Sequence, residues 1–321
     1  MNETATMRAI SQDRLGGPEV LREVRLPIPR PGPSEVLVRV HAAGLNPTDW
    51  KHRALPLFLG EPPFVLGWDL SGVVEAVGLG VTLYQPGDEV FGMLPYPYGV
   101  GSLAEYVTAP ARALTHKPAS VDHVQAAALP LAALTAWQAL VDTARIESGQ
   151  RLLIHAAAGG VGHLAVQIAK ERGAYVIGTA SAEKHDFVRG LGADEVIDYR
   201  TTDFAEAVRD VDVVLDTQGG ETRIRSLRTL RPGGLLVSLR PDGTEGLAEA
   251  AEAAGVLAKP LLVEADHAGM NAIADLVLRD RLRASVEATF PLDQTAKAHG
   301  LGDTGHVTGK LVVTVRESAS L

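Results

Sequence analysis

Arg151-Leu-Leu-Ile-His-Ala-Ala-Ala-Gly-Gly-Val-Gly-His-Leu-Ala-Val-Gln-Ile-Ala169 is the stretch on which the fold of this chain turns. The apolar run Arg151 to His155 predicts a buried strand. Glycines follow at 159, 160 and 162, and the apolar spacing of Val161 to Arg172 predicts a helix that begins at once. Glycines in such a turn let the backbone come close to a pyrophosphate, and the helix N-terminus offers unpaired N–H groups with a partial positive charge. Against the fingerprint G-x-G-x-x-G the chain reads A-x-G-x-x-G, with Ala157 in the first place. The strand before and the helix after are the context that gives the motif its meaning, dinucleotide binding. A turn that merely packs a helix on a sheet is the alternative.

Working outward, β-branched apolar runs keep alternating with helical periodicity: Tyr175 to Thr179, Ala182 to Leu191, Glu195 to Ile197, Val211 to Leu215, Ile224 to Leu230 and Gly234 to Leu239. That rhythm predicts a doubly wound parallel α/β sheet. Before about residue 120 the pattern differs. Short alternating runs such as Glu35 to His41 and Ser71 to Val77, with turns at Pro31-Gly32-Pro33 and Pro86-Gly87-Asp88, predict a small and mostly antiparallel β domain. Ala288 to Leu292 and Lys310 to Val315 are again strand-like and would rejoin that first domain. The expected organisation is a catalytic β domain over 1–124, a nucleotide domain over 125–285 and a return to the first domain over 286–321.

Composition narrows the function. Thirty basic and 39 acidic residues leave a formal charge of −9 with no basic stripe, which disfavours nucleic acid and anionic membranes as partners. No cysteine is present, so disulfides, thiolate-bound metals and a thiol nucleophile are excluded, and a reducing cytoplasm suits the chain. The first 14 residues have no signal-like apolar core. The uncharged stretches Val124 to Val141 and Leu152 to Ala169 are broken by Pro130 and by the glycines, so neither predicts a membrane span.

About 20 residues past the glycine turn, an acidic residue at the strand end would hold the ribose hydroxyls of NAD. Here the window is Thr179-Ala180-Ser181, followed by Glu183 and Lys184. The strand end carries no acid, and Ser181 with Lys184 offers a hydroxyl and a cation to a 2′-phosphate. The preferred cofactor is therefore NADP(H), although Glu183 beside Lys184 argues the other way.

Several further segments resemble one family: Ala42 to Asp49, Gly67 to Gly78, Pro86 to Val90, Leu129 to Leu140 and Leu191 to Arg200. With the glycine turn they are similar to the zinc-independent, zeta-crystallin-like quinone oxidoreductases of the medium-chain dehydrogenase/reductase superfamily. The resemblance covers nearly the whole chain. It implies a GroES-like β-rich catalytic domain, a Rossmann domain, NADPH between the two, and a homodimer. It further implies Thr135 at the nicotinamide carboxamide and Gly159, Gly160, Val161 and Gly162 along the pyrophosphate. Ser181, Lys184 and Tyr199 would surround the 2′-phosphate, Ser238 and Leu239 would face the nicotinamide, and Lys310 would approach the cofactor.

Zinc alcohol dehydrogenases share this pattern and carry a Cys where this chain has Asn46 and a His where it has Trp68. Asp69 is the one remaining candidate ligand of a site that needs about three, so no metal is expected. Asn46 is the best candidate for a neutral donor to the substrate carbonyl. Trp50, Phe58 and Trp68 could line a flat substrate pocket, while Asp49 and Lys51 read as solvated turn charges. Gly255 to Glu264, an apolar strand-like run interrupted by Pro260, would pair across a two-fold. The expected activity is hydride transfer from NADPH to a quinone. Reduction of an enone or alkenal double bond is the alternative, and an NADPH-binding structural or regulatory protein with little turnover is a third reading.

Overall fold

The computed structural model describes residues 5–240 and 242–316, and these fall into two units, 5–134 with 264–316, and 135–240 with 242–263. Strands β1 (Thr6–Gln12), β2 (Arg22–Pro27), β3 (Glu35–Leu45), β4 (Phe64–Val65), β5 (Asp69–Val77), β6 (Glu89–Met93), β7 (Tyr106–Pro110) and β8 (Leu114–His116) open the first unit. In the second, β9 (Arg151–Ile154), β10 (Tyr175–Ala180), β11 (Glu195–Asp198), β12 (Val211–Asp216), β13 (Leu230–Ser238) and β14 (Leu257–Pro260) follow. β15 (Val286–Pro291) and β16 (Lys310–Thr314) close the first unit.

The first unit holds a three-stranded sheet in the order β2-β1-β4 and a seven-stranded sheet in the order β15-β16-β3-β5-β6-β8, with β7 also on β3. The long strand β3 is the spine. Its residues Val36, Val38 and Val40 are buried, as are Leu70 on β5, Phe91 on β6 and Val312 on β16. All pairings in this sheet are antiparallel except β15 with β16. β16 lies on β3, Leu311 opposite Leu45, so the last described strand is tied to residues more than 260 positions earlier. The helix His267–Leu278 also packs here. His267 Nδ1 meets the Leu114 carbonyl at 2.8 Å, and the Thr115 hydroxyl donates to Asn271 at 2.5 Å.

The second unit is a six-stranded parallel sheet in the order β11-β10-β9-β12-β13-β14, flanked by helices. Leu153, Ile177, Val214 and Leu236 from four adjacent strands form its core together with Phe204. The strand order reverses between β9 and β12, and the C-terminal ends of those strands are where open α/β sheets bind ligands. Helix Gly162–Glu171 follows β9 and buries Leu164, Ala165, Val166 and Ile168. Among the described residues no helix is long and apolar enough to cross a membrane.

Candidate functional site

The glycine turn is built by steric exclusion. Past β9 the His155 amide still donates to the Leu215 carbonyl (3.1 Å), Ala156 takes a left-handed conformation (φ 48°), and the Ala157 amide donates to Thr179 (2.9 Å). A methyl group on Gly162 would lie 2.2 Å from the Ala156 oxygen and 2.8 Å from the Ala157 Cα, so only glycine lets the helix start this close to the strand. Gly159 is more permissive, at 3.2 Å from the same oxygen. Ala157 can replace the first glycine of the fingerprint because Gly178 on β10 leaves space for its methyl, a Cβ there falling 2.7 Å from the Ala157 Cβ. Gly159, Gly160 and Val161 are partly exposed ahead of the ten-residue helix; the His163, Leu164 and Ala165 amides bond back to Gly159 and Val161, so the amides of Gly160, Val161 and Gly162 are the ones the turn offers to a ligand. The cradle fits a pyrophosphate. Beneath it, buried His155 spans Ser226 (2.8 Å) and Thr179 (3.3 Å), and desolvation pushes its pKa down to about 4.

At the ends of β10 and β11 the structure brings Ser181, Lys184 and Tyr199 to the same end of the sheet. Ser181 is buried, Lys184 half-buried and Tyr199 53% exposed. Two residues outside that trio join them. Glu183 accepts from the Ser181 hydroxyl and pairs with Arg200, whose Nη1 is 3.2 Å from both carboxylate oxygens. At the end of β13 the fully buried Ser238 hydroxyl donates to Asp216 (2.8 Å), and the Leu239 amide donates to the Asp216 carbonyl (2.8 Å). Asp216 also accepts from the Gln218 and Gly219 amides and faces buried Arg223 at 3.4 Å. Thr135, 6% exposed, is the first residue of this unit.

In the first unit Asn46 caps the helix Pro47–Ala54, with Pro47 in its first turn and Asp49 closing a capping box by accepting from the Asn46 amide at 2.7 Å. The Asn46 side chain bridges two charges. Its Nδ2 donates to Asp69 (2.9 Å), and its Oδ1 accepts from Lys310 Nζ (2.5 Å). Lys310 lies 3.4 Å from Asp69, which also accepts from the Leu131 amide (2.7 Å). Gly309 allows β16 to enter at this point, since a Cβ on it would lie 2.2 Å from the Ser285 oxygen. All four polar residues are buried, Asn46 2%, Asp49 0%, Asp69 0% and Lys310 3% exposed. Burial drives both members of the Asp69–Lys310 pair towards their neutral forms, while their mutual attraction and the Asn46 amide oppose this. Burial raises the Asp49 carboxyl to about 7, and the Asp69 charge adds to the rise. Asp49 is thus not the solvated turn charge expected from sequence, because closing the capping box draws its carboxyl into the fold.

Beside this cluster runs a row of aromatic rings. Tyr98 (72% exposed) meets Phe58 (43% exposed) edge-on at 6.3 Å; Phe58 meets Tyr96 and His52, and both of these meet Trp68. The Thr48 hydroxyl lies 3.2 Å from the Tyr96 hydroxyl and 3.1 Å from His52 Nδ1. Trp68 is fully buried at the inner end of the row, whereas Phe58 and Tyr98 present the accessible ring surface. Trp50 packs elsewhere, over Gly302, whose missing Cβ leaves the space its ring occupies, with His299 edge-on at 6.2 Å. Among the described residues no three His, Cys, Asp or Glu side chains come together as a metal site.

Tyr96, Arg200 and the pairing of Asp69 with Lys310 were not identified from sequence. The Asn46-Pro-Thr-Asp49 spacing, a helix-start signature, was the one signal that could have placed Asp49 inside.

Comparison with known proteins agrees with both units. The alcohol dehydrogenase GroES-like domain family matches residues 32–119 and the zinc-binding dehydrogenase family residues 191–313. The chain is 37% identical to mouse NAD(P)H oxidoreductase RTN4IP1, mitochondrial, over 94% of its own length and 88% of that protein. It is 37% identical to the 2-haloacrylate reductase of a Burkholderia species, over 93% and 96% of the two chains. The solved quinone oxidoreductase of Coxiella burnetii superposes with a TM-score of 0.93 at 39% identity, covering 97% of this chain and all of that one. The two-unit architecture, the glycine turn and these full-length likenesses place the chain in the quinone oxidoreductase family of the medium-chain dehydrogenase/reductase enzymes.

Proposed function

We propose that this chain is an NADPH-dependent, zinc-independent oxidoreductase that reduces a quinone. The observation that carries the cofactor reading is the turn in which Gly162 has no room for a Cβ, opening a helix N-terminus at the reversal point of a parallel sheet. Bound there, the dihydronicotinamide supplies a hydride, which with one proton from solvent converts a quinone into a hydroquinone. For that reaction the protein need only bind, orient and exclude water. Phe58 and Tyr98 supply exposed ring faces on which a flat conjugated acceptor can stack. Asn46, held rigid by Asp69 and Lys310, offers a neutral amide in place of a metal ligand. The absence of any cysteine, with Asn46 and Trp68 at the two expected ligand positions, supports metal independence.

The second reading is reduction of an activated carbon–carbon double bond. It is favoured by the Thr48–Tyr96 hydroxyl pair, a proton donor such chemistry requires at carbon, and by the likeness to 2-haloacrylate reductase. A homodimer is part of the proposal: β14 is an edge strand of the parallel sheet, and Leu257 on it and Leu262 just past it are 56% and 46% exposed. A monomer by light scattering at micromolar concentration would remove that part. We place the protein in the cytoplasm, which its cysteine-free composition supports.

Oxidation of NADPH and NADH in parallel, against an ortho-quinone, a para-quinone and a simple enone with chelator present, tests the reading. Quinone turnover with NADPH is expected. Enone-only turnover moves the assignment to the double-bond reductases, and tight NADPH binding with no turnover to a structural or regulatory role. Loss of activity with chelator overturns metal independence.

A further inference from the structure

We infer that Glu183 and Arg200 form an exchangeable clasp that sets the choice between phosphorylated and unphosphorylated nicotinamide cofactors. Arg200 is then a further 2′-phosphate contact and Glu183 its intramolecular competitor. The inference rests on the cofactor reading above.

The two residues lie just past the C-terminal ends of adjacent parallel strands. Ala180, the last residue of β10, is in register with Asp198, the last of β11; Ser181 and Glu183 follow the first, Tyr199 and Arg200 the second. This is the strand end, about 20 residues past the glycine turn, where the adenine ribose hydroxyls lie in such folds. Arg200 Nη1 is 3.2 Å from each Glu183 oxygen, and its guanidinium carbon stands 5.7 Å from the centre of the Tyr199 ring. The Ser181 hydroxyl makes no cap bond to its own helical turn and instead donates to Glu183. One carboxylate therefore occupies both the hydroxyl and the guanidinium that a phosphate would use.

The pair is made to be exchanged. Both side chains are about half exposed, and ion pairs of that exposure contribute little to stability, so parting them costs the fold little. A 2′-phosphate has more charge and more acceptor oxygens than a carboxylate, and can replace Glu183 on Arg200 and Ser181. The displaced carboxylate stays nearby and repels that phosphate. An unphosphorylated ribose leaves the clasp closed and can donate its hydroxyls to Glu183. The sequence therefore holds a dual-specificity device, in which the acid weakens the preference that the cation creates.

The test is binding of NADPH, NADH, adenosine 2′,5′-bisphosphate and 5′-AMP to the full chain by calorimetry, for wild type, Glu183→Gln, Arg200→Gln and the double variant. Glu183→Gln is expected to raise the NADPH to NADH affinity ratio about tenfold, and Arg200→Gln to weaken the two phosphorylated ligands about tenfold with the others unchanged. In the Arg200→Gln background the part of the Glu183 effect that comes from competition for the guanidinium should vanish, leaving only the part from the carboxylate's direct action on phosphate and ribose. A ratio unchanged within about twofold in Glu183→Gln, or equal weakening of all four ligands by Arg200→Gln, overturns the clasp alone. Failure of the wild type to bind either dinucleotide overturns the cofactor reading and the clasp with it. Unchanged urea midpoints in both single variants separate a change in recognition from misfolding.

Discussion

Replacing Lys310 by methionine should damage the fold in a way that grows with pH. The ammonium is 3.4 Å from an Asp69 oxygen, with side chains 2% and 0% exposed. At an effective dielectric constant of about 20, two charges at that distance attract by roughly 5 kcal/mol. Removing the lysine also removes its own desolvation cost, and Asp69 keeps the Leu131 amide and the Asn46 side-chain amide, so the net loss should be about 3 kcal/mol. Methionine fills similar volume. Burial already raises the Asp69 carboxyl, with Lys310 opposing the rise, and Asp49 at about 7 is likewise held down by Lys310. Without the cation both carboxyls rise further. A carboxyl whose folded pKa lies above its unfolded value binds extra protons in the native state, so stability falls as pH climbs between the two values. Urea unfolding of wild type and Lys310→Met at pH 5 and pH 8 should show the larger loss at pH 8. Asp69→Asn combined with Lys310→Met should recover most of it, because the carboxylate that faced the ammonium directly is gone as well. A loss below about 1 kcal/mol at pH 8, or the same loss with Asp69 already replaced, would falsify the account of this cluster.

Gly162→Ala places a methyl 2.2 Å from the Ala156 oxygen and should cost about 1–3 kcal/mol or more with dinucleotide binding lost, whereas Gly159→Ala, at 3.2 Å, should be tolerated far better; melting curves with and without NADPH compare them. His155 has a native pKa of about 4 against 6.5 unfolded, so its contribution is fully present above pH 6.5 and is lost as pH falls towards 4. His155→Gln should therefore remove about 1.4 kcal/mol per pH unit from the slope of stability between those values, and an unchanged slope would refute the assignment. Truncating Phe58 to Ala should raise the KM for a quinone several-fold and leave that for NADPH unchanged, because its ring is 43% exposed at the open end of the aromatic row.

The parts of this protein legible in its sequence are those whose causes are local. The strand, glycines and helix of residues 151–169 lie within one short stretch, and the Gly162 requirement comes from atoms of Ala156 and Ala157 a few residues away. The alternation of strand and helix from 151 to 239 dictated a parallel sheet because each buried strand and amphipathic helix announces its own period. Even the replacement of the first glycine by Ala157 was readable as a variant, although the reason for it, the empty Cβ position of Gly178 on the next strand, was not.

Tertiary structure alone decided the electrostatics. Asn46 and Lys310 are 264 positions apart and meet only because β16 pairs with β3, so no window of sequence could show that a cation reaches an amide and a carboxylate there. Asp49 and Trp68 illustrate the same limit from the other side. A carboxyl near a turn and a tryptophan between a glycine and an aspartate carry no mark of their burial, because burial is a sum over residues from several elements. The Glu183–Arg200 clasp depends likewise on the register of β10 against β11, which sets two residues 17 positions apart face to face. Local sterics and periodicity fix the elements of this chain, and the long-range pairing of its strands fixes which charges must share a dry space.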